Sequence, residues 1–287
     1  MRMEISNLLE EFFEKMRMIH LFRRAAENLA QKEIEDLNGF EEALQNHADR
    51  ESHSSSFHNF GFRCLQTGNT YFYGLTRLSL EQRRHFALLT KNKQYQWLLA
   101  EAFEAFQDFM WKTYAVLGSV DHDFWPLEDY GNISLSELPN KDFIWFYEQA
   151  KKKKKDVRDI IKLIRKKRPA LAALEQNNKL DLNLRVFLPL IEHLRHVIVH
   201  RGGEVSNRDV FLKKVLEPEG LYNNGNVDAQ IRLIVDIPFG NSEHANTIAL
   251  LEHQDKNVSF LKHQRFELFT ECLMAYAKAV SENLVPS

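Results

Sequence analysis

Cysteine is nearly absent from this chain, since Cys64 and Cys272 are the only two among 287 residues. Two thiols so far apart form neither a metal-ligand spacing nor a disulfide framework, which is typical of proteins kept in a reducing cytosol. The sequence has no apolar run near the roughly 18 residues that a membrane span needs. Residues 1–5 lead into an amphipathic stretch rather than a signal peptide. We therefore expect a cytoplasmic protein that does not enter a membrane.

Motifs for common cofactors are also lacking. We find no phosphate-binding P-loop, no G-x-S-x-G nucleophile motif and no dinucleotide fingerprint. These absences argue against an ATPase, a serine hydrolase and a nicotinamide-dependent enzyme, and we expect no cofactor and no bound metal. Hydrophobic residues make up 44% and charged residues 27% of the chain, proportions that are ordinary for a globular domain.

Helical periodicity dominates what is present. Apolar residues recur at intervals of three and four along most of the chain, which predicts amphipathic helices. Asn38-Gly39 and Gly118 are typical helix-ending residues, and Asn92 is a typical N-cap. The predicted helices cover residues 4–36, 40–50, 80–89, 93–117, 140–152, 154–167, 182–200, 207–215 and 263–283.

Strand patterns are short and few. Residues 57–74 predict irregular structure with one short strand at 71–73. β-branched alternation over residues 230–237 predicts another strand. Together with further candidates at 247–252 and 257–262, it predicts a small β-hairpin or meander.

The most informative stretch is Arg195-His196-Val197-Ile198-Val199-His200, near the end of the predicted helix 182–200 and just before Gly202-Gly203. It places a permanent cation and a group that exchanges protons near neutral pH within reach of one anion. Such a pair suits phosphodiester chemistry. Five residues correspond to about 140° around a helix. The pair can therefore share a phosphate if the arginine wraps round, if the helix loosens near the glycines, or if two copies of the helix face each other across a two-fold axis.

This stretch resembles the signature of the HEPN superfamily (higher eukaryotes and prokaryotes nucleotide-binding domain), which is an arginine, a polar residue, three variable residues and a histidine. Arg195, His196 and His200 stand at those positions, and the helix that includes Tyr95 looks like the partner helix of that family's bundle. The resemblance covers about residues 93–203.

The expected fold is therefore all-α, a HEPN-like antiparallel helical bundle over residues 91–287. An N-terminal helical extension, residues 1–90, precedes it, and the small β element lies near 230–262. The sequence shows no internal repeat and no low-complexity linker, so we expect one compact unit.

The resemblance implies a metal-independent endoribonuclease that works as a homodimer, although many HEPN domains bind nucleotides or proteins without cutting. RNA carries its own nucleophile, the 2′-hydroxyl. A neutral imidazole can take its proton and an imidazolium can protonate the leaving 5′-oxygen, a role that we assign to His200. Arg195 would hold the phosphate and stabilise the transition state. His196 would orient either group or carry a second proton, and the product would end in a 2′,3′-cyclic phosphate.

Partners follow from the same resemblance. Prokaryotic proteins that resemble this one often act in phage defence or as toxins of toxin–antitoxin pairs. The expected partners are RNA, a second copy of the chain, and an antitoxin or another protein. The alternative is a non-catalytic module that binds RNA, a nucleotide or a protein.

Two other interpretations of the motif stay open. Arg195 could form a surface ion pair with Glu192 while His200 stabilises the helix end through its dipole. His193, His196 and His200 lie at i, i+3 and i+7 on one helix face and could bind zinc.

Acidic residues on the helix that faces the motif have three interpretations. Glu101, Glu104 or Asp108 would have to complete such a zinc site; otherwise they are solvated, or one of them hydrogen-bonds Arg195. We count Glu101, Glu104 and Glu192 as supporting residues.

Charge is distributed unevenly along the chain. Net charge is −2, yet residues 151–168 hold eleven basic residues against two acids, a local charge of +9. Such a run forms either a solvated helix surface or a track for the RNA backbone, and its Ile160, Ile161, Leu163 and Ile164 are expected to pack on the bundle. The candidate contacts to RNA are Lys162, Arg165, Lys166 and Arg201.

Overall fold

The computed structural model describes residues 2–45, 55–154, 156–223, 225–240, 244–254 and 262–284, and the protein is mostly helical. Its helices are α1 (Arg2–Leu44), α2 (Leu80–Val120), α3 (Phe143–Lys153), α4 (Val157–Lys167), α5 (Pro169–Leu174), α6 (Leu184–Arg201), α7 (Arg208–Leu216), α8 (Ala229–Asp236) and α9 (Arg265–Leu284). Strands β1 (Ser56–Arg63) and β2 (Thr70–Leu78) pair antiparallel, and so do β3 (Glu252–Gln254) and β4 (Lys262–Gln264). Short 3-10 turns cover Leu127–Tyr130, Leu135–Asn140 and Glu217–Glu219.

The chain divides into two compact units. The larger unit comprises Met1–Leu21 and Tyr95–Ser287, and the smaller comprises Phe22–Gln94. Helices α1 and α2 each contribute one part to either unit. The division expected at residue 90 lies close to the boundary between Gln94 and Tyr95. The first turns of α1, however, belong to the larger unit. Among the described residues, no helix has both the length and the apolar character that crossing a membrane would take.

An aromatic-rich core holds the larger unit together. Phe12 of α1 packs against Phe106 and Phe109 of α2, with ring centroids 6.2 and 5.5 Å apart. Phe106 also meets Tyr276 of α9 at 6.2 Å. Each such ring buries roughly 150–250 Å², so these contacts fix the neighbouring helices. The expected helical class is confirmed.

The smaller unit contains the second part of α1, the first part of α2 and the β1–β2 hairpin. Leu37 of α1 and Leu80 of α2 are buried. Arg84 Nε of α2 donates a hydrogen bond to Asn38 Oδ1 of α1 at 2.9 Å. One prediction is wrong, because α1 does not end at Asn38-Gly39 but continues to Leu44. The Asn38 side chain joins α1 to α2 instead of capping a helix.

A second predicted break is also wrong, because helices 80–89 and 93–117 are one helix, α2. It begins with a reciprocal cap in which the Ser79 backbone N–H donates to Gln82 Oε1 at 2.9 Å and the Gln82 N–H donates to Ser79 Oγ at 3.2 Å. The helix passes Gly118 without ending. A Cβ at Gly118 would lie 2.3 Å from the Trp125 ring, so packing and not chain reversal requires glycine there.

The predicted strand 230–237 is wrong as well, since these residues form α8. Asp228 caps this helix, because its carboxylate accepts hydrogen bonds from the backbone N–H groups of Gln230 at 2.8 Å and Ile231 at 3.2 Å. Alternating β-branched residues suggested a strand, but Leu233 is 69% exposed whereas Val235 is buried. The N-cap at Asp228 therefore favours a helix over the predicted strand in this segment.

Most β structure lies in the predicted irregular segment, which forms β1 and β2. The register pairs His58 with Thr76 and Phe60 with Tyr73, so β2 carries one extra residue in a bulge. Gly74 lies in this bulge with φ +69°, a conformation that favours glycine.

The C-terminal β element is a pair between β3 and β4, offset from the predicted strands 247–252 and 257–262. Residues 255–261 lie outside the described residues, as do residues 46–50 of the predicted helix 40–50. Helices predicted at 140–152, 154–167, 182–200, 207–215 and 263–283 are confirmed with shifts of a few residues.

Candidate functional site

Helix α6 carries the Arg195–His200 motif and is anchored by a buried stripe. The stripe consists of the apolar residues that recur at helical spacing, Leu184, Phe187, Leu188, Ile191, Leu194 and Ile198. Arg195 and His196 lie outside this stripe: Arg195 is half-buried and His196 is exposed. The position of the motif is therefore set by the packing of its own helix.

The glycines after the motif fix the end of α6. Gly202 is left-handed with φ +62° and Gly203 has φ +87°, which favours glycine. A Cβ at Gly203 would lie 2.5 Å from the Gln96 side chain. Gln96 Nε2 donates to the Ile248 carbonyl at 2.7 Å, and the Ile248 N–H donates to the Gly203 carbonyl at 2.9 Å. These bonds hold the end of α6 in place. The helix therefore does not loosen near the glycines, which was one of the three ways in which Arg195 and His200 could share a phosphate.

A cavity of about 470 Å³ opens beside α6 within the larger unit. Helix α6 contributes six of the residues that line it, namely Glu192, His193, Arg195, His196, Val197 and Arg201. Three other elements supply further walls: α2 with Phe103 and Gln107, α7 with Phe211 and Lys214, and the start of α4 with Asp156 and Arg158.

Arg195 is held by an acid of the facing helix. Its Nη2 donates to Glu104 Oε1 of α2, and the arginine side chain is 29% exposed. Within the described residues, Arg195 Nε is buried without a hydrogen-bond partner. The surface pair with Glu192 is therefore not the one that forms, whereas the expectation that an α2 carboxylate bonds Arg195 is confirmed for Glu104.

The two motif histidines lie together, with ring centroids 4.6 Å apart. Both are exposed, and His196 lines the cavity whereas His200 lies outside its lining. Burial lowers the pKa of His196, and the nearby positive charges of His200 and Arg195 lower it further. The lowered pKa favours the neutral form of the His196 imidazole. Within one chain, the imidazoles of His193 and His196 share the cavity with Arg195, and His200 adjoins His196.

A half-buried cluster of charged side chains beside the motif was missed by sequence reasoning. Asp156 Oδ2 accepts from Arg158 Nη2 at 2.6 Å, and Arg158 Nε also lies 2.9 Å from Glu192 Oε2. Burial and the charge of Asp156 raise the pKa of Glu192 to about 8, despite Arg158, because Asp156 already takes both Nε and Nη2 of that arginine. Burial and Arg158 lower the pKa of His193 to about 4.

The signal for this cluster was present only as a helix cap. Asp156 Oδ1 accepts from the backbone N–H of Arg158 at 2.8 Å at the start of α4. An Asp before a helix predicts its N-cap, but nothing in the sequence places that cap against α6. Glu192, counted as a supporting residue, therefore belongs to the Arg158 cluster.

The predicted RNA contacts separate into two groups. Arg201 lines the cavity, and its Nη1 donates to Ser206 Oγ at 3.2 Å. Lys162 and Lys166 are exposed on α4, outside the cavity lining. The buried face of α4 confirms that Ile160, Ile161 and Ile164 pack on the bundle.

Arg165 has a different environment from these lysines. It lies 2.6 Å from a carboxylate oxygen of Glu175 and 2.6 Å from one of Glu219, and its side chain is 16% exposed. Its charge is neutralised inside the fold, so we remove it from the RNA-binding set. Glu101 is exposed and lies outside the cavity lining; it lines a second groove, which Glu104 shares, with Glu14 and Lys15.

The zinc triad suggested by spacing does not assemble. His193 packs edge-on against Phe211 at 6.3 Å, whereas His196 and His200 pair with each other. In the part of the chain that the structure describes, no group of three His, Cys, Asp or Glu residues is placed to hold a metal ion.

Comparison with known proteins found no match for this chain among family models, curated proteins or solved structures. Inference about function therefore depends on the side chains of this site.

Proposed function

We propose that this protein is a metal-independent endoribonuclease of HEPN type, which cleaves RNA through the 2′-hydroxyl. The observation that carries the proposal is that Arg195 and His196 line one cavity, with the His200 ring 4.6 Å from that of His196. Arg201 and Lys214 add positive charge to the same walls. A site with two guanidinium groups, an ammonium and two imidazoles has the groups that phosphodiester transesterification needs.

The mechanism assigns each group one step. Neutral His196 takes the proton of the 2′-hydroxyl, whose oxygen attacks the adjacent phosphorus. Arg195 and Arg201 donate hydrogen bonds to the phosphate oxygens as negative charge builds on them. His200 protonates the 5′-oxygen as its bond to phosphorus breaks. The products are a 2′,3′-cyclic phosphate and a 5′-hydroxyl, and the two histidines end with each other's protonation state.

Glu104 controls the first encounter with RNA, because Arg195 must leave its carboxylate to hold a phosphate. An ion pair that is partly exposed to solvent contributes only about 0–1 kcal/mol. A phosphodiester surrounded by Arg195, Arg201 and Lys214 can therefore replace Glu104. In the resting protein, this carboxylate keeps the guanidinium turned toward α2.

The same contact favours the second candidate function, a non-catalytic module that binds RNA, a nucleotide or a protein. If Glu104 retains Arg195 when ligand is bound, the transition state loses its main cation. His200 would then remain at the surface without a reacting group beside it. Binding with no cleavage is the outcome that identifies this module.

The decisive experiment incubates purified protein with mixed-sequence RNA in EDTA, beside Arg195→Ala and His200→Ala. We expect cleavage that leaves 2′,3′-cyclic phosphate ends, and losses of roughly 10²–10⁴-fold in each variant. Arg17→Ala, on the exposed surface of α1, is the control and should cut normally. Equal activity in all four proteins would refute the assignment. Activity lost in EDTA and restored by zinc would instead indicate metal-dependent cleavage.

A homodimer is part of the proposal, because a second α6 facing the first would bring another His200 toward Arg195. Light scattering at the concentration of the cleavage assay checks this, and a monomer that cuts RNA at full rate would contradict it. A role as a toxin or defence effector is checked by expression in bacteria. Growth arrest that His200→Ala relieves is expected, and a neutralising protein partner would then cover the cavity.

A further inference from the structure

The β1–β2 hairpin of the smaller unit exposes a set of aromatic rings on one face. We call this set the aromatic ladder, and it consists of Phe60, Phe62, Tyr71 and Tyr73, each between 53% and 60% exposed. The strand register pairs Phe60 with Tyr73 and Phe62 with Tyr71. Their ring centroids lie 6.2 and 5.3 Å apart, and Phe62 lies 6.1 Å from Tyr73. The rings therefore form one continuous surface.

The opposite face of the ribbon also presents rings, and it carries the positive charge. Phe57 is 65% and Phe72 is 63% exposed. The Arg77 guanidinium lies 5.6 Å from the centroid of the Phe57 ring, within the range of a cation–π contact. Arg63, paired with Thr70 at the other end of the ribbon, is exposed as well.

A two-stranded hairpin with rings on both faces has little to stabilise it alone. Isolated hairpins are marginally stable in water, and contiguous exposed apolar surface generally marks a binding site. The exposed aromatic side chains of this ribbon therefore indicate a ligand-binding surface. They do not form part of a core.

Charge identifies the ligand. The chain has 40 acidic residues, yet residues 55–78 contain none, while they include Arg63, Arg77 and His58. A ribbon that lacks carboxylates and combines cations with flat rings complements a polyanion that has flat π faces. The Lys151–Arg168 run has charge but no aromatic residue, so it offers no comparable stacking surface.

We propose that the β1–β2 hairpin binds single-stranded RNA by stacking unpaired bases on the aromatic ladder, while the strand passes round the edge of the ribbon and its phosphates meet Arg63 and Arg77 on the opposite face. Stacking needs bases that are not already stacked in a duplex. The choice of RNA over DNA rests on the proposed function, whereas the binding itself does not need cleavage. This hairpin would capture a strand independently of the α6 cavity.

The first experiment keeps the protein constant and changes the RNA. Fluorescence anisotropy of the full-length Arg195→Ala/His200→Ala chain is measured with a labelled 12-nucleotide single strand, the same strand with abasic sites, and the duplex. Each lost stacked base should weaken binding by about 5- to 150-fold, and the duplex should bind more weakly than the single strand. Equal affinity for the base-bearing and abasic strands would overturn the proposal.

The second experiment changes the protein. Phe62→Leu/Tyr71→Leu keeps apolar bulk but removes two π faces, so we expect weaker binding of the base-bearing strand and little change for the abasic strand. Arg63→Gln/Arg77→Gln should reduce the slope of log affinity against log salt by about 1.4, at about 0.7 for each phosphate contact. Unchanged affinity in both variants would contradict the assignment.

Other outcomes separate this proposal from its competitors. Ladder variants that turn a dimer into a monomer without changing RNA affinity would show that the rings join two copies of the chain, and would overturn RNA binding. A protein that binds RNA through the ladder but cuts none would contradict the proposed nuclease alone. A protein that cuts RNA with ladder variants at full affinity would contradict the ladder alone.

Discussion

The α6 cavity and the aromatic ladder differ in how their charges are balanced. In the cavity, Arg195 meets Glu104 and Arg158 meets Asp156. In the hairpin, residues 55–78 contain no acid, and the rings are exposed. Charges balanced inside a cavity hold side chains in fixed positions, which suits a chemical step. An unbalanced and exposed surface suits capture of a ligand from solution. The comparison predicts that the two regions control different kinetic constants.

The largest effect is expected for His196→Ala. We assign His196 as the base, so this variant should lower kcat by about 10²–10⁴-fold with a much smaller change in KM. Phe62→Leu/Tyr71→Leu should do the reverse, raising KM and leaving kcat unchanged. Steady-state kinetics on a single-stranded substrate measure both constants. A fall in kcat for the ladder variant would break the division between capture and chemistry.

The pH profile provides the control for the role of His196. Burial and nearby cations lower the pKa of this imidazole, and a base works only when neutral. The acid limb of kcat/KM in the wild-type protein, which reports the free enzyme, should therefore lie below the ordinary histidine value of about 6.5. An acid limb above that value would assign the base to another group.

Sequence reasoning located the motif residues but not their neighbours. Spacing and amphipathicity placed Arg195 and His196 on one helix over residues 182–200, and that helix forms as α6. The partnership of Arg158 with Glu192 could not be predicted, because residues that meet only in the tertiary structure leave no local pattern. For the same reason the sequence could not distinguish Glu104 from Glu101 as the partner of Arg195, since both lie on α2 one turn apart.

The hairpin was missed for a different reason. Rings on both faces remove the alternation of apolar and polar residues that identifies a half-buried strand, so only Tyr71-Phe72-Tyr73 suggested one. Residues 230–237 show the opposite error, because their alternation resembles a strand while Asp228 caps a helix. Binary patterns predict structure where one face is buried, and both of these segments are short surface elements.

The next effect concerns the stability of the cavity wall. Because the folded pKa of Glu192 is raised from 4.5 to about 8, its contribution to folding is full below pH 4.5 and is lost as the pH rises toward 8. The folded pKa of His193 is lowered from 6.5 to about 4, so its contribution is full above pH 6.5 and is lost as the pH falls toward 4. The two slopes oppose each other, each at most about 1.4 kcal/mol per pH unit.

Urea unfolding across pH separates these two groups. Relative to wild type, Glu192→Gln should gain stability as the pH rises from 4.5 to 8, and His193→Asn should gain stability as the pH falls from 6.5 to 4. Arg17→Ala, which removes an exposed side chain that stays charged over this whole range, should give a flat difference. If both cavity variants give flat differences too, the polar wall is not the half-buried cluster that its contacts indicate.

The smallest effect is expected for Glu104→Gln, and it tests whether balanced charge restrains the cavity. Loss of this carboxylate leaves Arg195 without its ionic partner, so phosphate no longer competes with an acid for the guanidinium. An ion pair of about 0–1 kcal/mol corresponds to at most about a fivefold gain in RNA affinity. Glu101→Gln removes the same charge one turn away and should leave the affinity nearly unchanged. Equal gains in both variants would mean that long-range charge, and not the Arg195 contact, sets the affinity of the cavity, and the cavity would then resemble the hairpin more than its paired charges suggest.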